Sequence, residues 1–205
     1  MAKEAPMKKE LNNVEKRMVN LEIRNIGADN RKLVGYAAVF KNEYTEVRDR
    51  YGDTFYERVL QGAFKKSLIE REVFMLINHD WNKVVGRTTS NLVIQEDENG
   101  LRFELNVPNT TDGNDLLENV KQGIIKGCSF GFNVVSQSVE LDDDGILYRD
   151  IHEVELFEIT ATHTPVYKDT EINARSQYSV KDIRSAKNKR NAMLMNSFYK
   201  AFMKR

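Results

Sequence analysis

The chain has 205 residues, 40% of them hydrophobic and 30% charged, with 3 Pro and 1 Cys, a size and composition that fit one ordinary domain with tails and exclude collagen-like, disordered and disulfide-stapled classes. No apolar run approaches the ~20 residues needed to cross a bilayer and no signal-peptide apolar region opens the chain, so an intracellular, reducing setting is expected, and the single Cys128 excludes a multi-cysteine metal site. Basic and acidic side chains number 31 each. They are segregated: residues 1–20 hold five basic and three acidic groups, residues 176–205 hold eight basic groups and Asp182, and the remaining 18 basic and 27 acidic groups leave residues 21–175 at about −9.

Residues 1–18 are Lys-rich without periodicity and are expected to form a flexible arm. Alternation from Val19 to Ile26 and the apolar run Leu33 to Phe40 predict two strands joined by the turn-rich segment from Gly27. Residues 42–52 read as a charged loop. Phe64 and Leu68 share a helical face, predicting a helix over 63–70, and Val73 to Ile77 has the length of a buried strand. Asn91 to Gln95 and Leu101 to Val107 alternate about the hairpin signal Glu98-Asn-Gly. A short amphipathic helix is expected from about Asp112, capped by Asp112 or Asn114, with Leu116, Leu117, Val120 and Ile124 on one side and Gly127 as its stop. Phe130 to Val139 and Ile146 to Thr162 form a last strand pair around Asp142-Asp-Asp-Gly.

The predicted fold is therefore mainly β with α, a closed or nearly closed antiparallel barrel of about seven strands with short flanking helices. Its expected division is an arm (1–18), one domain (19–175) and a basic tail (176–205). In the tail, Met193, Leu194, Phe198 and Phe202 have helix-compatible spacing. Such a helix would either pack on the body or dock on a partner.

Gly127-Cys-Ser-Phe-Gly-Phe places a thiol and a hydroxyl side by side at the start of a strand. Adjacent strand side chains point to opposite faces, so one of Cys128 and Ser129 must be core, and cysteine is the more commonly buried type. The segment also fits G-x-S-x-G, but a nucleophile elbow needs a strand before the serine and a helix after it. Here that order is reversed. A serine nucleophile needs a base, normally a histidine held by a third group. Of His79, His152 and His163, His79 has the best context, following a buried strand between Asn78 and Asp80.

These residues resemble the prohead (procapsid-maturation) serine proteases of tailed bacteriophages, which resemble the herpesvirus assemblin fold. The resemblance runs from about Leu21 to Arg175 through Gly35-Tyr-Ala-Ala-Val-Phe, Glu57-Arg-Val-Leu-Gln-Gly-Ala-Phe, Leu76-Ile-Asn-His-Asp, Val85-Gly-Arg-Thr, Gly100-Leu-Arg-Phe, Gly127-Cys-Ser-Phe-Gly-Phe and Leu156-Phe-Glu-Ile-Thr, in shared order and spacing. It implies a serine endopeptidase with Ser129 as nucleophile, His79 as general base and Glu158 as the acidic third member, with Glu153 and Glu155 as alternatives on the same strand. By plain alternation Glu158 would share a face with Val154, Leu156 and Thr160. Arg87 is a candidate oxyanion support. No metal or organic cofactor is implied. The implied partners are the scaffolding protein or scaffolding segment of the capsid protein, the major capsid protein and the protease itself, inside the immature capsid in the host cytoplasm, with no nucleic acid required and no membrane. Dimerisation, which the herpesvirus enzymes need, carries over only by analogy of fold. A non-enzymatic scaffold-binding module of the same fold and a cysteine hydrolase using Cys128 are the rival readings.

Overall fold

A computed structural model describes residues 14–19, 24–26, 31–49, 51–163 and 180–202. In chain order these form β1 (Glu15–Val19), β2 (Arg24–Ile26), β3 (Lys32–Val39), β4 (Thr45–Arg48), β5 (Thr54–Val59), α1 (Lys65–Glu70), β6 (Phe74–Ile77), β7 (Asp80–Arg87), β8 (Leu92–Glu96), β9 (Gly100–Asn106), α2 (Thr111–Lys121), β10 (Gly127–Leu141), β11 (Leu147–Thr162) and α3 (Val180–Phe202). None of these helices is long and apolar enough to cross a membrane.

The two longest alternating stretches organise the rest. β10 and β11 pair antiparallel along nearly their whole length, and the turn between them closes where Asp142 Oδ1 accepts the Ile146 N–H at 2.7 Å. β1 adds to the outer side of β10, while β11 pairs parallel with β5 near its start and with β6 near its end. With β4 on β5 and β7 on β6 this makes a seven-stranded sheet; β2, β3, β9 and β8 make a separate four-stranded one. Both sheets contribute to one core, Leu33, Leu101, Phe103 and Leu105 from the smaller meeting Met75, Phe130, Phe132 and Ile159 from the larger.

The expected barrel of about seven strands is thus corrected to eleven described strands in two sheets that are not closed into a barrel. A barrel needs one hydrogen-bonded circuit, and here the two sheets share side chains across a core instead of ladder bonds. β1 escaped the sequence because its inward positions, Glu15 and Arg17, carry charge. Residues 15–18, assigned to the arm, belong to β1, and Arg17 is buried between Glu15 and Glu57, with Nη2 2.7 Å from Glu15 Oε2 and Nε 2.5 Å from Glu57 Oε1. Arg149 on β11 completes the cluster, 2.9 Å from Glu15 and 2.8 Å from Glu57. Charges taken out of water survive only when paired this fully. No apolar alternation records such a core. Residues 1–13 of the proposed arm lie outside the described residues.

The remaining differences are local. Thr110, not Asp112 or Asn114, caps α2, its side chain accepting the Gly113 N–H at 3.2 Å. Beyond α2 the chain turns through Gly123 (φ 69), so Gly127 opens β10 and Ile124 is 60% exposed. The expected tail helix is α3, and its first turns pack on the body. Val180 is buried with Val47, Phe55 and Leu147; Arg184 Nε donates to Gly145 O at 2.8 Å and Lys187 Nζ to Leu141 O at 2.7 Å.

Candidate active site

The site lies on the face of the larger sheet turned away from the shared core. On β10 the alternation puts Cys128, Phe130 and Phe132 into that core and leaves Ser129 and Gly131 on the other face. In the ladder Ser129 stands opposite Thr160 on β11, and Thr160 opposite Leu76 on β6; one row away are Gly131, Glu158 and Phe74.

Glu158 reaches this face through an irregularity. The register between β10 and β11 shifts at Gly131/Phe132, so that Phe157 has no partner of its own and Phe132 pairs with Leu156. A bulge of this kind reverses the alternation on its two sides. Ile159 and Ala161 are core residues, and so are Leu156 and Val154. The expectation that Glu158 shares a face with Val154 and Leu156 is therefore corrected: it shares one with Thr160 alone of the three.

His79 follows the buried strand β6 and lies in the two-residue turn between β6 and β7, where Ile77 pairs with Asp80. Asn78 and His79 both have positive φ, 52° and 58°, the signature of a type I′ hairpin turn, whose second position normally takes glycine. A histidine held there is strained, which the surroundings must compensate. β11 supplies the compensation. Asn78 N donates to Ala161 O at 3.1 Å, His79 N donates to Thr160 Oγ1 at 2.9 Å, and the Thr162 hydroxyl donates to Asn78 Oδ1 at 3.0 Å. The imidazole Nδ1 then lies 2.6 Å from Glu158 Oε1.

That contact joins two of the three residues of the expected triad, and Thr160 links the turn to the position of Ser129. Glu158 is buried and the His79 side chain 16% exposed. Ser129 is only 1% exposed. Cys128 is fully buried, and burial, followed by the nearby Glu158 carboxylate, pushes its thiol far above the ordinary range. A thiolate nucleophile is disfavoured on both counts.

Other candidates are elsewhere. Glu153 pairs with Lys66 at 2.9 Å and Glu155 with Arg71 at 3.2 Å, beside α1 and away from His79. Arg87, the candidate oxyanion support, lies on β7 opposite Phe74. β7 is separated from β10 by three strand spacings of ~4.8 Å, and the Arg87 side chain is 56% exposed and 3.7 Å from Glu72. His152 Nε2 meets Ser138 Oγ at 2.9 Å on exposed sheet surface, and His163 is exposed just after β11. Among the described residues no group of three or more His, Cys, Asp or Glu could hold a metal ion. Residues missed in the sequence were Thr160, Thr162 and Gly131. The only available signal was the even spacing of 158, 160 and 162, which has meaning only once the bulge is known.

A family model described as caudovirus prohead serine protease matches residues 19–184. No curated protein and no solved structure gives a significant match. The matched span begins at the last residue of β1 and ends in the second turn of α3, so it contains every element of both sheets except most of β1.

Proposed function

Because the chain belongs to the caudovirus prohead serine proteases, hydrolases of phage capsid maturation, we propose that Ser129, His79 and Glu158 form its catalytic triad. The observation that carries this reading is the 2.6 Å contact of His79 Nδ1 with Glu158 Oε1, made from a turn that is itself bonded to the residue opposite Ser129. In the proposed reaction Ser129 Oγ attacks the scissile carbonyl while His79 Nε2 takes its proton. The tetrahedral intermediate collapses, the C–N bond breaks, and His79 returns the proton to the leaving amine. Water, activated by the same imidazole, then releases the acyl group. Glu158 holds the tautomer with the proton on Nδ1 and stabilises the imidazolium. The oxyanion donors would be backbone N–H groups or Arg87.

The proposed substrates are the scaffolding protein or the scaffolding segment of the capsid protein, and the protease itself, acting within the prohead in the host cytoplasm. Segments beyond 175 are proposed targets of self-cleavage. An intact C-terminus on the enzyme in mature particles would overturn that last point. A second reading is favoured by the burial of Ser129: a non-enzymatic module that binds scaffold or capsid protein. Ser129→Ala separates the two. Loss of scaffold processing and maturation is expected for the protease, and unaffected maturation would sink it.

A further inference from the structure

Gly131 is a buried strand residue, and its φ does not lie in the left-handed region, so its backbone does not call for glycine. The space does. A Cβ at this position would overlap Glu158 Oε1 and come within 3.1 Å of its Cδ and 3.2 Å of its Cγ. Gly131 is also the ladder partner of Glu158. The carboxylate therefore lies across the bare backbone of β10, in the place that a side chain at 131 would fill.

The oxygen over Gly131 is the same one that contacts His79 Nδ1 at 2.6 Å. Glu158 Oε2 has no hydrogen-bond partner among the described residues. Thus the carboxylate is held by the imidazole on one side and by the shape of β10 on the other, with no lysine or arginine paired to it among the described residues. We propose that Gly131 is a positioning residue of the proton-transfer site: its missing side chain seats Glu158 over the strand that carries Ser129, and so draws the His79 ring toward the nucleophile. This rests on the triad assigned above. A methyl group at 131 would push the carboxylate back toward β6 and take the imidazole with it, lengthening the path from Nε2 to Ser129 Oγ. The side chain two residues after the serine is then set by the acid's geometry rather than by substrate contact.

The test uses the full chain with Gly131→Ala, Glu158→Ala and the double substitution. Three quantities are read: the rate of Ser129 labelling by a fluorophosphonate, the far-downfield proton resonance of an Nδ1–H bonded to carboxylate, and the thermal midpoint. A displacement of this size should slow labelling by about 10²-fold and abolish or shift the resonance. In the Glu158→Ala background the same Gly131→Ala change should alter labelling and midpoint little, because the colliding carboxylate is gone. Labelling and resonance unchanged in Gly131→Ala would overturn the proposal, and so would equal losses in both backgrounds. If Gly131→Ala fails to fold, recovery of folding with Glu158→Ala supports the seat, and failure there too overturns it. A wild-type chain that is folded yet never labelled would count against the protease reading alone, since the resonance and the midpoint coupling still report on the seat.

Discussion

Thr160 stands directly opposite Ser129 in the β10–β11 ladder, and its hydroxyl oxygen accepts the backbone N–H of His79 at 2.9 Å. One fully buried side chain thus ties the strained turn that carries the imidazole to the row that carries the serine. Thr160→Val keeps the shape and deletes the acceptor, leaving the His79 N–H unsatisfied. Unfolding by urea should show a loss of about 1–3 kcal/mol, with fluorophosphonate labelling slowed as the turn loosens. Thr160→Ser, which retains the oxygen, should label close to the wild-type rate. Equal labelling by the Val and Ser variants would show that this bond does not position the proposed base, His79.

His79→Ala should destabilise the protein, because alanine at the same positive φ relieves no backbone strain and the Glu158 contact is lost. It leaves the buried Glu158 carboxylate without its hydrogen-bond partner, a defect worth about 1–3 kcal/mol. Adding Glu158→Gln, which removes the buried charge, should recover part of the loss in urea unfolding. A double variant no more stable than His79→Ala contradicts this account.

The N-terminal strand should come loose in acid. Burial alone would raise the Glu15 carboxyl, but the neighbouring Arg17 and then Arg149 outweigh it and hold the group below the ordinary range. A depressed carboxyl contributes stability that is present above the unfolded value and lost as pH falls through the folded one. Hydrogen exchange at the amides of β1 should accelerate as pH drops below about 4, beyond the intrinsic pH effect on exchange. Protection of β1 that persists unchanged to about pH 3 would assign its hold to something other than Glu15.

Cys128→Ala should leave labelling of the proposed nucleophile Ser129 intact. The thiol is sealed in the core and its proton is held tightly by burial, so the native protein should resist alkylation by iodoacetamide, and the variant should still label with a fluorophosphonate. Labelling lost in Cys128→Ala but kept in Ser129→Ala would reverse the assignment of the nucleophile.

Much of the local structure was legible because it depends on spacing along the chain. The period of two through Gly127–Val134 separated Cys128 from Ser129, the Glu98-Asn-Gly and Asp142-Asp-Asp-Gly turns marked two hairpins, and Val73–Ile77 read as a buried strand. The same rule failed at Glu158. One unpaired residue, Phe157, reversed the face of everything beyond it, and a bulge leaves no mark in a hydrophobic pattern.

What the residues by themselves determined is the list of chemical parts: a serine at the head of an alternating strand, a histidine after a buried one, and a carboxylate in an apolar stretch. Folding decided which parts meet. β6 lies beside β11 although more than 80 residues separate Leu76 from Thr160 in the chain, and this parallel pairing brings the turn at His79 over Glu158. Four charges from β1, β5 and β11 cancel inside the sheet, and Gly131 leaves the gap that Glu158 fills. These are relations between strands, created by packing and by desolvation, and no single segment contains them.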